Sequence, residues 1–297
     1  MSNISIGSSA MLVELNISTW TARKLDKKVS AEVDVAKGAK TSAVNVNKNL
    51  LAGTGFLDTI TKYAANARAW HLSQTLPWSD NGQRLLPVSN FISYKEQLGK
   101  LNENFDALVG KFIEAYPNLV SAAAFQLGDL FNRDEYPEAD AIARKFKFNY
   151  NFFPVPQAGD FRVDIGEEAR KEIEASCNSL SNSRIESAMK DAWSRLHEHL
   201  LRMSERLECD EVEDEVDGRW ERVTKPRVFR DTLVENAVEL VDMLKHFNIT
   251  QDASMEQARL ALHDAIHGYE ASDLRENFVA REAVKRKVDD ILGKFNF

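Results

Sequence analysis

The sequence predicts a mainly α fold carrying a small antiparallel β-sheet (α+β), built from two long helical hairpins and further C-terminal helices. Three observations lead there. Apolar residues recur every three or four positions through most of the 297 residues, which is the period of an amphipathic helix. Two stretches switch to a period of two, the mark of a half-buried strand. Proline, Asn-Gly and other breaker signals cut the helical pattern into paired segments.

In chain order, "MLVELNIS" alternates Met11, Val13, Leu15 and Ile17 with Leu12, Glu14, Asn16 and Ser18, and reads as a strand. "TWTARKLDKKVSAEV" then turns basic and helical. From Leu50, the residues Leu50, Gly53, Leu57, Ile60, Ala64, Ala67 and His71 step by three and four, with Phe56, Tyr63 and Trp70 in a flanking row. "TLPWSDNGQRLLPVSN" reads as a connector, within which "QRLLPVS" offers a short strand. Phe91, Tyr94, Leu98, Leu101, Phe105, Leu108 and Phe112 restore the helical step. The pair forms the first antiparallel hairpin. "YPNL" is expected to end its second helix, because the residue before proline disfavours the helical region. A shorter helix from Ser121 to Phe131 follows.

In "KFKFNYNFFPVP" an aromatic occupies every second position, at Phe146, Phe148, Tyr150 and Phe152, and Pro-Val-Pro closes the run. Such a strand cannot be buried with its backbone unpaired, and 11–18 is its natural partner. The aromatics are expected to pack inward against helices rather than form a solvent-facing platform for bases.

A boundary is read after "FFPVP", giving an N-terminal domain 1–158 with the hairpin and small sheet and a C-terminal helical domain 159–297. Ile185, Met189, Ala192, Leu196, Leu200, Met203 and Leu207 form one stripe of the second hairpin, and Leu233, Ala237, Leu240, Leu244 and Phe247 the other. Between them lies an acidic loop, 208–218. Two closing helices are expected, capped by Ser254 and Ser272, with Gly268 stopping the first.

The net charge is −8, which argues against a surface that coats nucleic acid throughout. No stretch approaches the ~20 apolar residues of a membrane helix, and "MSNISIGSSAMLVELNIS" lacks the basic start of a signal peptide. The expectation is a cytoplasmic protein without membrane contact. Cys177 and Cys209, the two cysteines, are too few for a disulfide framework.

Chemical motifs are sparse. His263 and His267 lie one helical turn apart, but Asp264 stands where a zinc protease needs glutamate, and no third ligand is positioned; the expected reading is a surface pair. His197 and His199 point to opposite sides of their helix, with His199 at the edge of the apolar seam. Glu213, Glu215, Asp217 and Gly218 imitate the start of a calcium loop, which fails at Thr224 where a bidentate acid is required. "LAGTGF" lacks the lysine of a P-loop. No catalytic residue, metal or cofactor is therefore assigned, and a non-enzymatic protein is expected.

Charge is the remaining signal. Residues 20–48 carry Arg23, Lys24, Lys27, Lys28, Lys37, Lys40 and Lys48 against three acids. On a helix Arg23 would share a face with Lys27, and Lys24 with Lys28. Trp20, Arg23, Lys24, Lys27 and Lys28 are thus a candidate patch for protein contact, or for nucleic acid with Trp20 stacking on a base. Glu211, Glu213, Asp214 and Glu215 are the candidate acidic docking loop.

"LNISTWTARKLDKK", "RLLPVSN", "YKEQLGKLNENFDALVGKFIEAYPN" and "EYPEADAIARKFKFNYNFFPVP", in this order, resemble a family of bacteriophage and prophage proteins of unknown function. Its pattern is a strand leading into Trp-Ser/Thr-Gly/Ala-Arg-Lys, a short Val-Pro or Leu-Pro segment, a long helix and a Phe-x-Phe-x-Val/Phe strand. The resemblance covers roughly residues 11–156 and leaves out the acidic loop and the second half. It implies a gene neighbourhood with a MoxR-type AAA+ ATPase and a protein carrying a von Willebrand A domain, hence an adaptor or assembly component with those partners in the host cytoplasm. The leading expectation is a phage-encoded homo-oligomer working by protein–protein contact. The alternative is a single-stranded nucleic-acid-binding factor in phage replication or recombination.

Overall fold

The computed structural model describes residues 6–157, 166–216 and 219–295. They form a mainly helical α+β structure with a small four-stranded antiparallel sheet, as the periodicities predicted. The chain folds as two compact units, and neither is a continuous stretch. One gathers Met1–Glu14, Gln74–Ile92 and Phe152–Phe297; the other gathers Leu15–Ser73 and Ser93–Asn151. This corrects the expected single division at 158. The reason is that secondary structure runs through the boundaries: strand β1 (Ala10–Ser18), helix α4 (Phe91–Leu127) and strand β6 (Lys147–Pro154) each pass from one unit to the other.

After a four-residue helix α1 (Ile6–Ser9), β1 enters a sheet of order β4-β5-β1-β6, with β4 at Leu76–Pro77 and β5 at Arg84–Pro87. The aromatic strand β6 is thus the hydrogen-bonded neighbour of β1. On the other side β5 pairs antiparallel with β1, setting Ala10 opposite Pro87, Met11 opposite Leu86 and Leu12 opposite Leu85. The connector between the first two long helices is therefore a hairpin: Leu76 faces Leu85 and Pro77 faces Arg84. Gly82, with φ +88°, supplies the left-handed residue its tip requires.

In the unit built from Leu15–Ser73 and Ser93–Asn151, helix α3 is Phe56–Ser73. It starts later than the apolar pattern suggested, because Gly53 sits at φ +77° and Leu50 donates its N–H to the Ala22 carbonyl. α3 buries Ile60, Ala64, Ala67 and His71. It pairs antiparallel with α4: His71 Nδ1 lies 2.6 Å from the Tyr94 hydroxyl, and the Tyr63 hydroxyl donates to the Leu101 carbonyl. α4 continues past Pro117, so the expected stop there and the separate helix from Ser121 are both corrected. A proline ring removes one hydrogen bond, but α4 continues to bury Tyr116, Val120 and Ala123 around it.

The alternating aromatics Phe146 and Phe148 face inward, onto a row of α4 spaced by seven, while Phe153 of β6 is exposed. Phe146 meets Phe112 and Phe148 meets Phe105, both with ring centroids 5.6 Å apart. In the other unit Phe152 meets Phe91 edge-on at 5.2 Å. Between β1 and α3, strand β2 (Arg23–Leu25) pairs with β3 (Asn47–Asn49) around helix α2 (Lys27–Ala36). Asp26 caps α2 by accepting from the Val29 N–H. Buried Asp34 holds the return loop by accepting from the Ala43 and Val44 N–H groups. A short helix α5 (Ala139–Ala143) precedes β6.

The second unit is centred on helix α6 (Glu167–Leu207), with α7 (Thr232–Phe247), α8 (Ala253–Ile266), α9 (Ala271–Glu276) and α10 (Phe278–Lys294) around it. Both expected stripes face the core, with Ile185 and Met189 partly buried at its edge, and the core also takes in Ala10, Leu12, Leu76, Trp78 and Leu85. Helix caps differ in detail. Asp252 rather than Ser254 caps α8, because its carboxylate reaches the Ser254 and Met255 N–H groups. Gly268, at φ +82°, follows the end of α8 as read. The expected last helix is two pieces, capped by Glu270 and Asn277 instead of Ser272.

The acidic run is not a loop. β7 (Cys209–Val216) pairs with β8 (Arg219–Pro226) from Cys209 opposite Pro226 to Val216 opposite Arg219. Asp210 faces Lys225, Val212 faces Val223 and Glu213 faces Arg222, so opposite charges and valines meet across the pair. Asp217 and Gly218 lie outside the described residues.

At the base of this hairpin sits Arg281 of α10, 2% exposed. Its guanidinium donates to the carbonyls of Arg206, Leu207, Glu208 and Arg227 at 2.6–3.2 Å, and stacks over Phe229.

Replacing Phe148 by alanine is expected to cost about 3–5 kcal/mol in urea unfolding, the range for deleting a buried phenyl ring. A change of less than about 1 kcal/mol would mean the row is a surface feature.

Candidate functional site

The basic segment is assembled differently from its sequence reading. Arg23 and Lys24 lie on β2 and Lys27 and Lys28 in the first turn of α2, because the Asp26 cap starts the helix between them. The expected helical pairing of Arg23 with Lys27 and of Lys24 with Lys28 is thereby corrected. All four side chains are exposed, and among the described residues none has an ion pair or side-chain hydrogen bond. Lysines in the first turn oppose the helix dipole, so the fold does not call for them there.

Trp20 leaves the patch. It is 8% exposed and packs against Phe112 and Tyr116, with ring centroids 6.3 and 6.0 Å away. A buried indole cannot stack on a base. The cause is local: Ala22, fully buried, adopts φ +48° and turns the chain sharply between β1 and β2.

Lys48 is structural too. Its ammonium lies 2.6 Å from Glu135 and 3.6 Å from Asp26, and donates to the Leu130 carbonyl. The Asp26 carboxyl is held below its usual range, first by the Val29 N–H and further by Lys48, against the opposing effect of burial.

On β7, Glu211 and Glu213 are exposed and two residues apart, hence on one face. Among the described residues neither has an ion pair. Their cross-strand partners Thr224 and Arg222 share that face, as does Trp220, which is 73% exposed. Asp214 points the other way and is paired with Lys225. The Glu215 side chain lies outside the described residues. The candidate acidic site therefore reduces to Glu211 and Glu213 beside an exposed tryptophan.

The rings of His263 and His267 are 5.1 Å apart, and His263 Nδ1 contacts the Asp264 carboxylate at 3.2 Å. Among the described residues no cluster of three or more His, Cys, Asp or Glu side chains converges on a metal position, and no helix is long and apolar enough to cross a membrane. His197 is half-buried and His199 buried. Among the described residues His199 Nε2 has no hydrogen-bond partner. Its pKa is pushed down to about 4, first by burial and then by the Arg202 guanidinium, with the Leu233 backbone acting in the opposite sense.

Arg281, Arg202, Arg206 and Arg230 belong to none of the motifs read from the sequence. A signal existed for two of them: His199, Arg202 and Arg206 repeat the three-four step that places side chains on one face of a helix.

Neutralising Arg23, Lys24, Lys27 or Lys28 singly is expected to change stability by no more than about 0.5 kcal/mol. Lys48→Met is expected to cost roughly 1–3 kcal/mol, since Glu135 and the Leu130 carbonyl lose their partner. Chemical denaturation of the five variants checks this division.

His199 makes stability depend on pH. Its folded pKa lies below the unfolded value of 6.5, so the unfolded chain binds the proton more readily. The contribution is complete above pH 6.5 and is lost as pH falls towards 4, by up to about 3 kcal/mol. His199→Gln is expected to flatten the melting-temperature profile between pH 4 and 6.5; an unchanged profile would refute the assignment.

Comparison with protein-family models, curated proteins and solved structures finds no match for the chain.

Proposed function

We propose that this protein is a non-enzymatic assembly or adaptor component that acts by self-association and protein–protein contact. The observation that carries the reading is a pair of exposed surfaces, one basic and one bearing two glutamates. Arg23, Lys24, Lys27 and Lys28 are exposed with no ion pair among the described residues, and Glu211 and Glu213 are exposed beside Trp220 on a two-stranded hairpin. Exposed aromatic residues rimmed by charge are a common composition of protein interfaces. A contact between two different patches is heterologous, so copies joined this way form rings or filaments. The phage setting, and service by an AAA+ ATPase with a von Willebrand A-domain partner, rest on the family resemblance over residues 11–156.

The same four cations suit phosphate contact, which keeps single-stranded nucleic acid as the second reading. The burial of Trp20 takes away its stacking residue.

Reversal of charge separates the two. Glu211→Lys with Glu213→Lys is expected to lower the oligomer mass seen in sedimentation velocity, and so is reversal of the four basic residues. Combining both sets restores assembly in part, because the attraction is re-formed with opposite signs. If only the basic changes matter, and single-stranded DNA binding falls steeply with salt, the nucleic-acid reading replaces this one. A protein that stays monomeric at every concentration removes self-association.

A further inference from the structure

We propose that the cavity beside His199 binds a small phosphate monoester. The cavity has a volume of about 480 Å³, within the ~300–1,000 Å³ usual for small-molecule sites. His199, Arg202 and Arg206 enter it from α6, and Arg230, Thr232 and Asn236 from the start of α7. Among the described residues no acidic side chain lines it.

The arginines are the first observation. Several other guanidinium groups of this unit are matched by a carboxylate: Arg195 by Asp191, Arg227 by Glu208 and Asp210, Arg259 by Glu256, Arg275 by Asp231. Arg202, Arg206 and Arg230 have no ion pair and no side-chain hydrogen bond among the described residues. Three like charges gathered around one cavity repel each other. An anion between them removes that repulsion, and guanidinium groups fit phosphate oxygens two at a time.

His199 is the second, independent observation. The residue is 8% exposed, and its Nε2 is buried without a hydrogen-bond partner. An orphaned buried polar atom is costly. A phosphate oxygen within reach of Nε2 satisfies it once the ring is protonated. Facing the ring are Arg202, which disfavours that proton, and the Leu233 backbone, which favours it; Arg206 and Arg230 add positive charge from the same cavity. A dianion reverses the balance, so binding draws a proton onto His199.

The first turn of α7 borders the cavity, and its cap residue Asp231 makes no side-chain cap bond and is paired with Arg275. The positive end of the helix dipole therefore adds to the field. An apolar wall of Val228, Phe229 and Leu233 completes the lining. Val228 is 85% exposed, which gives the organic part of an ester a surface that inorganic phosphate cannot use.

Titration calorimetry of the full chain with phenyl phosphate and with inorganic phosphate tests the site. The expected result is saturable binding, at least tenfold tighter for phenyl phosphate, with proton uptake at pH 6 revealed by buffers of different ionisation enthalpy. Arg202→Gln with Arg206→Gln, both exposed positions that leave the fold intact, is expected to weaken binding at least tenfold. His199→Gln is expected to abolish the proton uptake. Absence of saturable phenyl phosphate binding overturns the proposal, as does equal binding by the double arginine variant. Failure to bind phenyl phosphate, with single-stranded DNA binding that the same two substitutions weaken, would also overturn it in favour of a nucleic-acid surface.

Discussion

A guanidinium group taken out of water keeps its charge and must find acceptors for its donors. Arg281 finds them without a carboxylate hydrogen-bond partner. Its hydrogen bonds go to carbonyls at the last turn of α6, at the residue after it, and at the segment leaving β8. Carbonyls at a helix C-terminus carry partial negative charge and lack intrahelical partners, so one side chain meets several needs together. It ends α6, joins both strands of the acidic hairpin at their base, and fixes α10 to them. Phe229, beneath the same guanidinium and that of Arg275, is thereby held at the start of the segment leading to α7. The hairpin needs this clasp, since an isolated two-stranded ribbon is marginal in water.

The helical stripes were legible because burial follows period: every residue of the Leu233–Phe247 stripe is in the core. The aromatic strand was legible for the same reason, and its partner followed from the need to pair its backbone. What escaped was set by tertiary context. Pro117 announced a stop that the buried residues beyond it overrode. In β7, carboxylates at most positions hid the alternation, and the better signal was Asp217-Gly218, a turn pair that favours tight hairpins. Trp20 looked available because basic residues surround it in sequence. Its burial depends on the left-handed Ala22, whose conformation periodicity does not encode. A buried site at positive φ excludes larger side chains there.

Charged residues here divide into those the fold uses and those it leaves open. Lys48, Arg227, Arg259 and Asp34 are each held by named partners. Among the open ones are three groups: four cations about α2, two glutamates on β7, and three arginines at one cavity. Neighbouring charges in sequence did not predict this division. Lys48 belongs to the same basic run as Lys28, yet one is clasped between two carboxylates and the other faces solvent.

The interleaving of the two units bears on the order in which the chain becomes structured during synthesis. All residues of the Leu15–Asn151 unit are made before α6, so that unit can close early. Residues 10–14 and 74–92 cannot, because Leu12, Leu76, Trp78 and Leu85 find their core among helices translated later. At a typical synthesis rate of about 5–20 residues per second, those apolar side chains stay without their final neighbours while more than a hundred residues are added. The nascent protein thus passes through a stage with a finished unit and an uncovered hydrophobic surface, the kind of surface on which chaperones act.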